Sequence, residues 1–254
     1  MKIKIFNKGF NYSQDGRGNR LVIHMQGCNL RCPWCTNPEG FEVDGVVMRK
    51  YENRPPRLSC EDWEIDDLLN LCRESSSLFF DGGGVTFTGG EPTMQADALE
   101  KTLKSLREMS IHTAVETNGT SVDLPLFFPF IDQLILDFKT ANPEKHQKLL
   151  GPGGEALLIN ILSALENHKD LLIRIPLIQG FNTQDKDIEE FLSAVGDGPK
   201  PHASFEFLMY HEFGREKWRQ CGLEYSQREA YVPEETLRSF TETFRSHHLQ
   251  VIQT

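Results

Sequence analysis

No apolar run in this sequence approaches the roughly 18 residues that cross a membrane, and the stretch behind Met1, MKIKIFNKGFNYSQDG, lacks the continuous apolar segment of a secretory leader. A cytoplasmic protein is expected. Positive charge is scarce as well, with 27 Lys and Arg against 37 Asp and Glu and a formal net charge of −10. That balance argues against a general affinity for nucleic acid or for anionic membrane surfaces, both of which need clustered Lys and Arg. Protein and small-molecule partners are expected instead. Internal repeats and low-complexity segments are absent too, and 254 residues are enough for one α/β barrel with a full core.

Cysteines are few, six in all, and in a reducing compartment they read as ligands or buried thiols rather than disulfides. Cys72 falls on the helical stripe Ile65, Leu68, Leu69, Cys72 and reads as a core thiol, while Cys60 and Cys221 stand alone. The other three, Cys28, Cys32 and Cys35, are spaced so that their sulfurs can meet one inorganic centre, and no fourth cysteine lies nearby. A four-iron cubane needs four ligands, so three thiolates would leave one iron open to a small molecule. Half of a zinc site, or a closed cluster with a distant fourth ligand, remains an alternative reading of the triplet.

Short β-branched or aromatic runs alternate with helical stretches, which argues for parallel strands joined by crossover helices. Six strands are predicted, at Arg20–Gln26, Gly84–Thr88, Thr113–Thr117, Gln133–Phe138, Leu171–Leu177 and Ser204–Tyr210. Helices are predicted at Asp62–Glu74, Ala96–Met109, Leu124–Phe130, Ala156–Asn167, Asp185–Val195 and Pro233–His247. Residues 41–60, with their charges and Pro-Pro pair, read as a long loop.

The unusual residues fall at or just beyond the strand ends. The cysteine loop follows the first strand, Thr88-Gly89-Gly90-Glu91-Pro92 the second and Glu116-Thr117-Asn118-Gly119 the third. Asp137-Phe138-Lys139 ends the fourth, Arg174 and Pro176 lie late in the fifth, and Tyr210-His211-Glu212-Phe213-Gly214 closes the sixth. Parallel barrels build their active sites at this mouth, so six coincident clusters point to one pocket. Each also has a plainer reading: Gly89-Gly90 as an ordinary turn, Asp137 and Lys139 as a buried ion pair, His211 as a satisfied structural histidine. Arg174 offers a planar fork suited to a carboxylate. His24, His112, His146 and His202 read as surface or core residues.

Cys-x3-Cys-x2-Cys with Trp34 before the last cysteine resembles the signature of the radical S-adenosylmethionine enzymes. The further order GGGVT (residues 82–86), GGE, TNG, Asp137-x-Lys139, His146-Gln147-x-Leu149-x-Gly151 and YHExG with Lys217-Trp218 is similar to the glycyl-radical-enzyme activating enzymes, the family of the pyruvate formate-lyase activating enzyme. The likeness runs from about Leu21 to the C-terminus. It implies a laterally open partial (β/α)6 TIM-like barrel of parallel strands. The whole chain, residues 1–254, is expected to be a single domain without the ferredoxin-like insert of many relatives, since Cys60 is the only cysteine in residues 41–60.

The resemblance also implies one [4Fe-4S] cluster on Cys28, Cys32 and Cys35, with S-adenosylmethionine on its fourth iron. Cofactor contacts are implied for Trp34, Cys35, Thr36, Gly89, Gly90, Glu91, Glu116, Asn118, Asp137, Lys139, Arg174 and His211, and a monovalent cation for Glu116, Thr117 and Asp137. The implied activity is reductive cleavage of S-adenosylmethionine to a 5'-deoxyadenosyl radical that takes hydrogen from a glycine of a glycyl radical enzyme. Flavodoxin or ferredoxin would supply the electron, and a monomer is expected. Three positions depart from the family pattern: Asp15-Gly16-Arg17-Gly18-Asn19-Arg20 lacks the usual proline, Thr36 replaces a histidine, and Glu116 replaces an aspartate. Two other readings stay open, a carboxy-deazaguanine synthase-like enzyme acting on a small molecule, and a non-enzymatic electron-transfer or metal-binding module.

Overall fold

The computed structural model describes residues 1–49 and 55–253. Its strands are β1 (Lys2–Tyr12), β2 (Asn19–Met25), β3 (Val47–Met48), β4 (Arg57–Leu58), β5 (Glu61–Glu64), β6 (Gly84–Gly89), β7 (Thr113–Thr117), β8 (Gln133–Asp137), β9 (Leu171–Leu177), β10 (Ala203–Met209) and β11 (Val251–Ile252). The helices are α1 (Ile65–Glu74), α2 (Ala96–Glu108), α3 (Pro143–Leu149), α4 (Gly154–Asn167), α5 (Asp185–Val195), α6 (Arg215–Gln220) and α7 (Glu234–Ser246).

Nine strands form one open sheet in the order β11-β10-β9-β8-β7-β6-β2-β1-β5. The six predicted strands are its parallel centre, β2 and β6 to β10. The fold is thus mixed α/β with a mostly parallel open sheet, as the alternating pattern implied. Sequence periodicity did not show that β1 runs antiparallel to β2 and that β5 runs antiparallel to β1. Nor did it show α3, α6 or β11. The predicted helix at Asp62 begins three residues later, at Ile65, because Asp62 and its neighbours are drawn into β5 by pairing with β1. Leu124–Phe130 is a 3-10 helix interrupted by Pro129. Within residues 41–60, read as a loop, β3 and β4 pair antiparallel, and the stretch 50–54 lies outside the described residues.

Strand alternation sorts the side chains. Leu21, Ile23 and Met25 of β2, Val85 and Phe87 of β6, Leu134 and Leu136 of β8 and Ile173 and Ile175 of β9 join a buried core with Leu68, Leu103, Ile161, Phe191, Phe240 and Phe244 of the helices. The opposite face, toward the barrel interior, is polar. Arg20 Nε donates to Thr86 Oγ1 at 2.6 Å, and Thr88 Oγ1 donates to Glu116 Oε2 at 2.8 Å. Arg174 reaches Glu116 Oε1 at 2.7 Å and Glu206 Oε2 at 2.8 Å, and also donates to the Gln14 carbonyl.

Arg20 is wholly buried at the end of the barrel away from the mouth, and burial pulls its pKa down to about 10. Its guanidinium is satisfied by Thr86, the carbonyls of Arg17, Gly82, Val85 and His112, and the His112 ring. The glycine run beside it lets the backbones close up, since a Cβ on Gly84 would collide with the His112 carbonyl and one on Gly83 with the Asn19 carbonyl. Gly84→Ala should therefore cost about 2–3 kcal/mol, as overpacking does, whereas Gly9→Ala, which meets nothing within 4 Å, should change stability by less than about 1 kcal/mol. Urea unfolding midpoints of the two variants decide this; equal midpoints would remove the close-packing role of the glycine run.

Candidate active site

Loops at the C-terminal ends of the six central strands surround a cavity of about 250 Å³. The loop after β2 gives it Cys28, Cys32, Trp34, Cys35 and Thr36; the loop after β6 gives Gly89 and Gly90; β7 and its loop give Glu116, Thr117 and Asn118. Asp137 and Lys139 come from the end of β8, and His211 from just beyond β10. Two expected residues do not line it. Glu91 lies beneath the wall, 1% exposed, and Arg174 lies deeper in the barrel between two carboxylates.

Glu91 acts as a bracket. Its Oε1 accepts from Thr93 N at 3.1 Å, Thr93 Oγ1 at 2.6 Å and Thr117 Oγ1 at 2.7 Å, and its Oε2 from Asn118 N at 2.8 Å. Burial raises its pKa, and these four donors work the other way. Its own N–H donates to the Gly27 carbonyl at 2.7 Å, so one residue joins the cysteine loop, the Pro92 turn and the loop after β7.

Buried amides pin the remaining loops. Gln26 donates to the carbonyls of Glu39 and Glu42, at 2.8 and 2.5 Å. Asn160 of α4 donates to those of Gly119 and Ser121, both at 2.7 Å. Asn182, fully buried, donates to the carbonyls of Lys139 and Pro176 at 2.9 and 2.7 Å and accepts from Ile178 N. Asn118 and Asn29 join side chain to side chain at 2.9 Å.

Lys139 Nζ pairs with Asp137 Oδ2 at 2.8 Å. Burial pulls the Lys139 pKa down, but the Asp137 carboxylate outweighs it and holds the ammonium above its ordinary value. For Arg174, likewise, burial lowers and Glu116 with Glu206 raises, with a net rise. Most of the oxygens named for a monovalent cation are engaged inside the protein: both of Glu116 by Thr88 and Arg174, Thr117 Oγ1 by Glu91, and Asp137 Oδ2 by Lys139. Burial pushes the His211 pKa down, favouring the neutral ring, which stacks on Phe213 with centroids 4.2 Å apart.

Sequence reasoning left out the apolar wall, Leu30, Phe41, Ile178, Leu208 and Met209. For Leu30, Ile178, Leu208 and Met209 the only signal is position, near the ends of strands whose polar residues were noticed; Phe41, far beyond β2, gave none.

The three thiols are the metal-binding chemistry of this cavity. Cys28 Sγ accepts from Leu30 N at 3.4 Å and Cys35 Sγ from Asn37 N at 3.3 Å. Burial drives the Cys28 thiol up to about 12 and raises Cys32 and Cys35 as well, so the metal-free sulfurs are held as thiols. Among the described residues no three His, Cys, Asp or Glu side chains converge on a single-ion position. Iron–sulfur clusters are held by cysteine thiolates, and three cysteines from one loop share this cavity. The donor set fits an iron–sulfur cluster.

Comparison with known proteins agrees. Residues 22–192 match the model of the Radical SAM superfamily. The pyruvate formate-lyase-activating enzyme of Staphylococcus aureus (strain USA300) is 31% identical over 236 residues, covering 87% of this chain and 86% of that protein. The 4-hydroxyphenylacetate decarboxylase activating enzyme of Clostridioides difficile (strain 630) is 28% identical and covers 83% of each. Among solved structures, a domain of pyruvate-formate lyase-activating enzyme from Bacteroides vulgatus superposes with a TM-score of 0.55 at 25% identity, over 68% of this chain and all but 1% of that one, with 99% covered. QueE from Escherichia coli shares the fold, with a TM-score of 0.58 at 18% identity over 100% of this chain and 94% of that one. With its cysteine triplet on one wall of the barrel mouth and the matched region spanning most of its strands, this chain belongs to the Radical SAM superfamily and is a radical S-adenosylmethionine enzyme.

Proposed function

We propose that the chain is a glycyl-radical-enzyme activating enzyme, whose substrate is a glycine on a protein partner. The observation that carries the reading is that three cysteines, the Asp137–Lys139 pair and His211 share one cavity, in a chain whose relatives at about 30% identity are named as activating enzymes of this kind. Cys28, Cys32 and Cys35 would hold a [4Fe-4S] cluster. Bound there and reduced by flavodoxin or ferredoxin, the cluster with S-adenosylmethionine supplies a 5'-deoxyadenosyl radical that takes hydrogen from the partner's glycine Cα.

The chain's own part is to bind, orient and exclude water. The Lys139 ammonium, kept charged by Asp137, suits the carboxylate of S-adenosylmethionine, and the second Asp137 oxygen suits its ribose. The backbone at Gly89 and Gly90 suits the amino group, and neutral His211 suits the nucleoside. Trp34, with its ring centroid 4.7 Å from that of Phe181, and the apolar wall keep water from the reacting carbon. Glu91 and Arg174 act through the residues they hold.

The anaerobically reconstituted, reduced protein should release 5'-deoxyadenosine from S-adenosylmethionine. A yield from Cys32→Ala equal to that of the wild type would remove the radical chemistry. With a glycyl radical enzyme added, a glycine-centred radical should appear on the partner in the electron paramagnetic resonance spectrum. Turnover of a small molecule with no protein present would favour the carboxy-deazaguanine synthase-like reading. Lys139→Met removes a charge-assisted hydrogen bond worth about 1.5–3 kcal/mol, so KM for S-adenosylmethionine should rise about 10- to 150-fold with the iron content unchanged. An unchanged KM would take Lys139 out of the cofactor site.

A further inference from the structure

We propose that the segment after β10 is a clamp on the cysteine loop, with Lys217 and Trp218 as positioning residues that fix the geometry and charge around Cys35; this rests on the reading that the triplet holds a cluster.

Trp218 Nε1 donates to the carbonyl of Cys35 at 2.8 Å. Its ring is fixed edge-on against Phe41 and Tyr225, with centroids 5.5 and 5.6 Å away, so the donor has little freedom. One residue earlier, Lys217 Nζ donates to Asn37 Oδ1 at 2.7 Å and pairs with Glu39 Oε1 at 2.7 Å. Asn37 is the residue whose N–H meets Cys35 Sγ, so Lys217 orients that donor as well as placing a positive charge nearby. The approach is close because Gly214 carries no Cβ; one there would collide with the Cys35 carbonyl. On the other flank of the loop, Arg31 Nη1 donates to the Cys28 carbonyl at 2.7 Å.

Outer partners of metal ligands orient them, and hydrogen bonds and charge beside cluster sulfurs set the reduction potential. Lys217 and Trp218 do not line the cavity themselves; they hold Cys35, Asn37 and Phe41, which do. Iron release and potential, measured without S-adenosylmethionine, read their effect on the loop apart from cofactor binding.

The test uses the anaerobically reconstituted full-length protein, with two readouts: the rate of iron release to a chelator and the midpoint potential from a redox titration. Lys217→Met should release iron roughly 10-fold faster or more, in the range usual for such outer partners, and shift the potential negative. Lys217→Arg, which can still span both acceptors, should recover most of both. Trp218→Phe keeps the ring and loses the donor, and should raise iron release with a smaller shift in potential. Because Lys217→Met leaves Glu39 buried and unpaired, the double variant Glu39→Gln/Lys217→Met separates the two causes. The pair of substitutions removes one charge of each sign, so fast iron release in the double variant upholds the clamp whatever its potential. Wild-type iron release in the double variant, or wild-type release and potential in Lys217→Met itself, would overturn it. A wild-type protein that retains no iron at all would instead sink the cluster reading beneath it.

Discussion

A single buried carboxylate holds the mouth of this barrel together. Glu91 is almost wholly removed from water, and an isolated ionised carboxylate there would be costly; four donors within 3.1 Å offset that cost. The donors come from two different loops, and the Glu91 N–H reaches a third. The requirement that the carboxylate be satisfied thereby becomes a requirement that the cysteine loop, the Pro92 turn and the loop after β7 keep one arrangement. Gln26, Asn160 and Asn182 repeat the device with neutral amides, each donating to two backbone carbonyls, in loops except for that of Pro176 in β9. Loops that would otherwise vary are held by side chains that touch neither cavity nor solvent.

The same logic runs through the barrel interior. Alternation along each strand sends the apolar residues outward to the helices, and the residues left to face inward include Thr86, Thr88, Glu116, Arg174 and Glu206. Arg174 crosses from β9 past β8 to reach Glu116 on β7, which ties non-neighbouring strands. Truncating Arg174 would take the shared cation from Glu116 and Glu206 at once, which is more harmful than replacing the whole set by apolar residues.

The parallel centre of the fold was legible because its strands are short apolar runs that alternate along the chain with helical stretches. The parts that were missed are those whose pairing is decided elsewhere. β1, KIKIFNKGFNY, alternates weakly and carries lysines, and only β2 and β5 make it a strand. α3 spans seven residues and α6 only six, too short for a helical stripe, although Asn142 with Pro143 was a readable start for the first. In the site, motif order led to loops that line one cavity but not to the direction of each side chain. Thr117 and Glu116 are adjacent in sequence, yet one supports Glu91 and the other pairs with Arg174, a distinction that depends on which strand faces which. The GGG run was noticed as a family trait, and the structure shows it making room for backbone around a buried arginine rather than for a ligand.

An inward face this polar also bears on what an open barrel can admit. A sheet that ended in a dry, apolar interior would collapse or aggregate if its side were left open, since exposed apolar surface recruits further burial. Here Arg20, Thr86, Thr88, Glu116, Arg174 and Glu206 are already hydrogen-bonded within the protein, and the loop between β1 and β2 crosses beneath them, giving the Gln14 carbonyl to Arg174 and the Asp15 carbonyl to Thr86. These groups are held in place before any ligand arrives. Binding energy need not be spent on ordering them, which is the condition under which a large partner can offer one short loop and have it held still.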